Sequence, residues 1–126
     1  MASNNFNYKS HVDLNDFLKI NPVLGIIFFY FVGYAKKNKL PVLVTSISDD
    51  APNRKSDTHK TFRAIDISSK KWNDFHINRI VYRINSMYRD FGTGPKNKVK
   101  RAIIHHDSGT GNHFHIQVNR FAQIED

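Results

Sequence analysis

The sequence predicts an α+β domain in which helices pack on one mainly antiparallel sheet, and three observations point there. An uncharged, helix-length run from Ile20 to Ala35 follows Asn21-Pro22. A second stretch, Lys71 to Arg89, repeats its apolar residues at the helical period. Around them lie short segments rich in β-branched residues, two of them close together near the C-terminus. Helices first, then strands with one helix between them, is the order of an α+β architecture rather than of regular βαβ alternation.

Taken in order, Asp13 or Asn15 can cap a short helix running to about Lys19. Asn21 then serves as cap and Pro22 as first-turn residue of a helix ending near Asn38, apolar nearly all round, with Phe28, Phe29, Tyr30, Phe31 and Tyr34 expected in the core. Lys36, Lys37 and Lys39 suit the negative end of its dipole, and Leu40-Pro41 stops it. Val42 to Ile47 reads as a buried strand and Asp49 to Thr58 as a polar loop. Arg63 to Ile67 reads as a second strand. The helix Lys71 to Arg89 should turn Ile77, Ile80, Val81, Ile84 and Met87 inward, and Phe91 to Pro95 form a turn. Val99 to His105 and His113 to Val118 complete a hairpin through Asp107 to Asn112.

At 126 residues the chain suits one domain, with residues 1–10 expected to be flexible. A 40% apolar share and 13% aromatic share exclude a wholly disordered chain. There is no cysteine, so disulfides and thiolate metal sites are excluded and a metal must be held by His and carboxylates. A formal charge of +8 favours polyanionic surroundings without choosing among nucleic acid, anionic lipid and cell wall. The run from Ile20 to Ala35 is shorter than the roughly 20 residues of a membrane span. No secretory signal is visible in the polar Met1 to Ser10, so synthesis in a cytoplasm without a signal peptide is expected.

The seven histidines therefore hold the chemical information. In His113-Phe114-His115-Ile116-Gln117-Val118, strand alternation puts His113, His115 and Gln117 on one face and the apolar residues on the other. Two imidazoles at this spacing can present nitrogen to zinc; a solvated strand face is the bland alternative. In His59 to Ile67, Ile65 and Ile67 look inward, so Asp66 faces the other way with Ala64 and Ser68. A carboxylate on a mostly apolar strand needs a partner, either a metal or a cation such as Arg63.

These segments resemble the zinc peptidase superfamily of D-alanyl-D-alanine carboxypeptidases, murein endopeptidases and the hedgehog signalling domain. The resemblance rests on His59, on Ala64 and Asp66 followed by Ile67, on the Val44-Thr45-Ser46 strand after a long helix, and on His106-Asp107, Gly109, Gly111 and the His-x-His strand. It implies that His59, Asp66 and His115 hold Zn²⁺ with a fourth position open to water, the arrangement of a catalytic zinc. It also implies that His113 acts as general base, with Asp107 or His106 as fallback. Independently of the resemblance, Arg54 or Arg63 is a candidate anion-stabilising cation by its charge. The implied activity is that of a zinc metallopeptidase hydrolysing a D-Ala-type bond in peptidoglycan, as a phage lysis or virion-associated enzyme acting on the cell wall, alone or with other virion proteins.

The sequence departs from the family pattern in three places: Phe62 stands where glycine is usual, Asp57 where serine is usual, and Asp49 and Asp50 where an arginine is usual. These departures would suit an inactive wall-binding or structural domain of the same fold. A basic metal-dependent nuclease recruiting His105-His106 and Asn112 is a third reading, opposed by the dispersal of Lys and Arg along the chain. A phosphodiesterase with two His-x-Thr motifs is opposed by the presence of one only, at His59 to Thr61.

Overall fold

The computed structural model describes residues 6–10, 12–47, 62–94, 99–107 and 112–123. Their chain order is β1 (Phe6–Tyr8), a 3-10 turn (Leu14–Leu18), α1 (Pro22–Lys37), β2 (Val42–Ser46), β3 (Ala64–Ser68), α2 (Asp74–Tyr88), a second 3-10 turn (Arg89–Phe91), β4 (Ile103–Asp107) and β5 (Asn112–Gln117). The five strands form one sheet in the order β1-β2-β3-β5-β4. Only the β1–β2 pairing is parallel. The fold is thus α+β, two helices on a mostly antiparallel mixed sheet, as the sequence predicts.

Asn21 starts α1 by accepting from the Val23 N–H at 2.8 Å, and its amide also reaches the Ala122 carbonyl at 3.0 Å, tying the helix start to the C-terminal segment. Val23, Leu24, Ile27, Phe28, Phe31, Tyr34 and Ala35 form the buried face. Phe29 departs from the expectation of a wholly buried aromatic cluster: it is 81% exposed, because a helix on one side of a sheet has an outer face whatever its composition. At its end, the Leu40 N–H bonds to the Ala35 carbonyl at 2.8 Å and the Lys39 N–H to Lys36 at 3.2 Å, with Lys39 at φ 58°. This is a Schellman stop with lysine where glycine is usual.

Helix α2 starts on Asn73, whose side chain accepts from the His76 N–H. Ile77, Ile80 and Ile84 are buried and Val81 packs partly against the core, as the periodicity requires. Met87 is a correction: it is about half exposed, and the polar Asn85 is buried instead. Asn85 bridges to the sheet by donating to the Ile103 carbonyl at 2.9 Å and accepting from the Ala102 and Ile103 N–H groups at 2.8 and 3.2 Å. Helix periodicity marks positions but not the polar needs of the strand beneath them.

The centre of the core is aromatic. Phe31 of α1 stacks on Trp72 with centroids 5.2 Å apart, and both meet Phe114 of β5 edge-on. Trp72 also donates its indole N–H to the Pro41 carbonyl at 2.8 Å, so it is a structural residue.

Several element boundaries differ from expectation: α2 begins at Asp74 rather than Lys71, and Asp107 and Asn112, expected in the turn, end β4 and begin β5 as a cross-strand pair. The N-terminal segment contributes β1, in parallel register with β2, which nothing in its polar composition signals. The short first helix is a 3-10 turn capped by Asp13. β4 begins at Ile103 rather than Val99, which is 62% exposed; Arg101 instead exchanges hydrogen bonds with Thr93. That local pairing draws the chain so close to Gly92 that a Cβ there would stand 2.2 Å from the Arg101 backbone, which is why a glycine is required.

Candidate metal centre

Pairing of β3 with β5 decides what the sheet presents on the side turned from the helices. In register, Ala64 faces Gln117, Asp66 faces His115 and Ser68 faces His113. Antiparallel pairing of β4 with β5 brings Ile104 opposite His115 and His106 opposite His113. Ile65, Ile67, Phe114 and Ile116, on the alternate positions, are completely buried in the core. One sheet surface therefore carries Asp66, His106, His113, His115 and Gln117 together.

Asp66 and His115 form the tightest contact of this group, 2.7 Å between Oδ1 and Nδ1. Asp66 is 8% exposed, so its carboxylate needs compensating partners, and the His115 ring is one of its contacts. On the other side of the ring, Nε2 lies 2.9 Å from Gln117 Oε1. An amide oxygen accepts, so the Nε2 proton is directed to Gln117 and Nδ1 is the nitrogen left for Asp66. A proton or a metal cation is what can join that nitrogen to a carboxylate. The sequence offered Arg63 as the alternative partner; Arg63 donates from its guanidinium to the Val118 carbonyl at 3.1 Å.

The fit to zinc can be tested on this pair. Two donors on one tetrahedral zinc, each about 2.0–2.1 Å from it, stand roughly 3.3 Å apart. The observed 2.7 Å is a hydrogen-bond distance, so the pair must open by roughly half an ångström to take the ion, a side-chain adjustment. A ring held through its far nitrogen by an acceptor is also the usual support of a histidine ligand. Two donors of the set implied by the resemblance therefore fit. The third, His59, lies outside the described residues, as do Arg54, Asp49, Asp50 and Asp57. Among the described residues, no group of three His, Asp or Glu side chains has metal-binding geometry.

His113 and His106 complete the cluster. Their rings are 4.4 Å apart between centroids, and His106 stands 6.2 Å from His115. His106 is exposed at its edge, yet partial desolvation against its neighbours lowers its pKa first, His113 and His115 add to this, and the negative Asp66 opposes it. Asp107 takes the register position opposite Asn112 on β4.

Consecutive strand residues face opposite ways, which separates His105 from His106. His105 lies against Phe114 on the helix side, and its Nε2 is 2.7 Å from the hydroxyl of the buried Ser69. Burial first, and His113 second, lower its pKa, against an upward pull from Asp74. The His-His dipeptide thus divides between the two faces of the sheet. Strand alternation in β4 is the sequence signal for the Ser69–His105 pair, since it turns His105 away from His106. His76, outside both motifs, pairs through Nδ1 with the Tyr34 hydroxyl at 2.7 Å, a helix-packing contact.

Phe62 has φ 57°, in the left-handed region that a residue with a Cβ enters at a cost. Its carbonyl accepts from the Asn21 N–H at 3.0 Å, and Lys19 lies over its ring at 5.7 Å.

Comparison with protein-family models, curated proteins and solved structures finds no match to this chain. Among the described residues no helix is long and apolar enough to cross a membrane.

Proposed function

We propose that this chain is a zinc-dependent peptidase acting on peptidoglycan, with Asp66 and His115 as two of three metal ligands, His59 as the third and His113 as general base. The observation that carries the reading is the cross-strand Asp66–His115 pair, 2.7 Å apart through Nδ1, with Gln117 on the far ring nitrogen.

Zinc at this position would supply an acidified water and a polarised carbonyl. The chain's own residues do the rest. Gln117 holds the His115 ring through Nε2, so that its Nδ1 is presented toward Asp66 in one orientation. His113, one ring-width from His106 on the same sheet surface, takes a proton at a ring nitrogen and returns it to the leaving amine. Arg54 is the residue proposed to hold the substrate's anionic group. The charge of +8 favours approach to an anionic wall.

The test pairs metal analysis of protein purified without chelator with muropeptide release from isolated peptidoglycan, for the wild type, His113→Ala and His115→Ala. One zinc per chain is expected, with metal lost chiefly in His115→Ala and products lost in both variants. Zinc without products from the wild type would replace the reading with an inactive domain of the same fold; protein without zinc would end it.

A further inference from the structure

The neighbouring imidazoles of His106 and His113 have a property that the proposed zinc set does not use. They occupy directly opposed positions on adjacent strands, which fixes their Cα positions through the backbone ladder of β4 and β5. Their ring centroids are 4.4 Å apart, with the planes tilted at 54°. Two imidazoles bound to one metal ion, each nitrogen about 2.0–2.1 Å from it, have ring centroids roughly 4.5 Å apart at a right angle and roughly 5.2 Å apart at the tetrahedral angle. The pair thus stands at the spacing of a right-angled chelate and must open by roughly 0.8 Å for a tetrahedral one, a movement within reach of two side chains.

His115 is the wrong third member for such a site. Its ring is 6.2 Å from His106, and its two nitrogens are engaged by Asp66 and Gln117. His105 is excluded by facing the other side of the sheet, against Phe114 and Ser69. What remains is a two-imidazole site on a strand surface, with His106 exposed enough for water to fill the other positions. Imidazole pairs of this kind suit the later first-row divalent ions, Ni²⁺, Cu²⁺ and Zn²⁺, and not Mg²⁺ or Ca²⁺, which prefer oxygen.

We propose that His106 and His113 form a second, weaker site for a divalent transition metal, distinct from the Asp66–His115 centre. Its consequence for catalysis rests on the peptidase reading above: an ion held by His113 occupies the nitrogen lone pair that a general base needs. Surplus zinc would then silence the enzyme by binding beside the first ion, without displacing it.

Calorimetric titration with ZnCl₂, and separately with NiCl₂, tests the site, with ¹⁵N-detected histidine ring signals reporting which imidazoles respond. The proteins are wild type, His106→Ala and, as a control on the opposite face, His105→Gln, with thermal melting to verify that each is folded. Wild type and His105→Gln should show a weak class of metal site whose filling perturbs the His106 and His113 rings. In His106→Ala that class should weaken at least tenfold. Persistence of the weak class in folded His106→Ala, or its absence from the wild type, overturns the proposal. Nickel binding that depends on His106 supports it even if no tight zinc site is found, so failure of the first reading and failure of this one give different results. Where muropeptide release is measurable, excess zinc should inhibit the wild type and inhibit His106→Ala at least tenfold less; equal inhibition of the two overturns the regulatory part.

Discussion

Replacing Asn85 with alanine removes the polar bridge between α2 and the edge strand that carries His106. Three hydrogen bonds go with it: donation to the Ile103 carbonyl and acceptance from the Ala102 and Ile103 N–H groups. Asn85, Ala102 and Ile103 are all buried, so water cannot readily replace the lost partner. Each buried polar group left unpaired costs about 1–3 kcal/mol. Two orphaned N–H groups and one carbonyl with a second lone pair, at the lower end of that range, give a loss of about 3 kcal/mol. Against a total stability of about 5–15 kcal/mol this is a large fraction. Urea denaturation followed by the fluorescence of Trp72, the sole tryptophan, measures it directly. The midpoint should fall with the slope unchanged, since the surface exposed on unfolding is nearly the same. Asn85→Asp should fall between wild type and alanine if the backbone geometry holds, because it keeps an acceptor for both N–H groups while losing the donor and burying a charge. A loss under about 1 kcal/mol in Asn85→Ala would refute the bridge as a structural element.

Two further predictions concern stability. Lys39→Gly should stabilise the fold by about 0.5–1 kcal/mol: it relieves the left-handed strain of roughly 1–2 kcal/mol at φ 58°, less the greater chain entropy of unfolded glycine. A lowered urea midpoint would show that Lys39 contributes something other than strain. The second is a pH effect. Burial lowers the His105 pKa below its ordinary value of 6.5, so between that lowered value and 6.5 the unfolded chain binds more protons than the folded one. Its contribution is fully present above pH about 6.5 and is lost as pH falls through that window. His105→Gln, which keeps a polar partner for Ser69, should lose less stability than wild type between pH 7.5 and 5.5; equal losses would show that His105 does not couple to folding.

Much of the frame was legible because it depends on local patterns. Asn21-Pro22 sets a helix start through a side-chain oxygen and a missing N–H, and the same atoms do so in the structure. Alternation in His113 to Val118 assigns faces to a strand without knowledge of its neighbours, and Phe114 and Ile116 are buried as it requires. β1 was not legible: its three residues gain their place only from hydrogen bonding to β2. Nor was the burial of Asn85 legible, since the groups it satisfies lie in a strand 17 and 18 residues further along the chain.

For the candidate site the division is similar. By itself the sequence determined that a metal here could use only His and carboxylate donors, and that Asp66 and His115 each face away from an apolar strand side. Those are consequences of composition and of the two-residue strand period. Tertiary structure decided that Asp66 and His115 share a cross-strand pair, that Gln117 orients the ring, and that His106 comes to His113 while His105 turns to Ser69. Register between strands 49 residues apart is set by packing of the whole core, and a one-residue slip would have sent every one of these side chains to the other face.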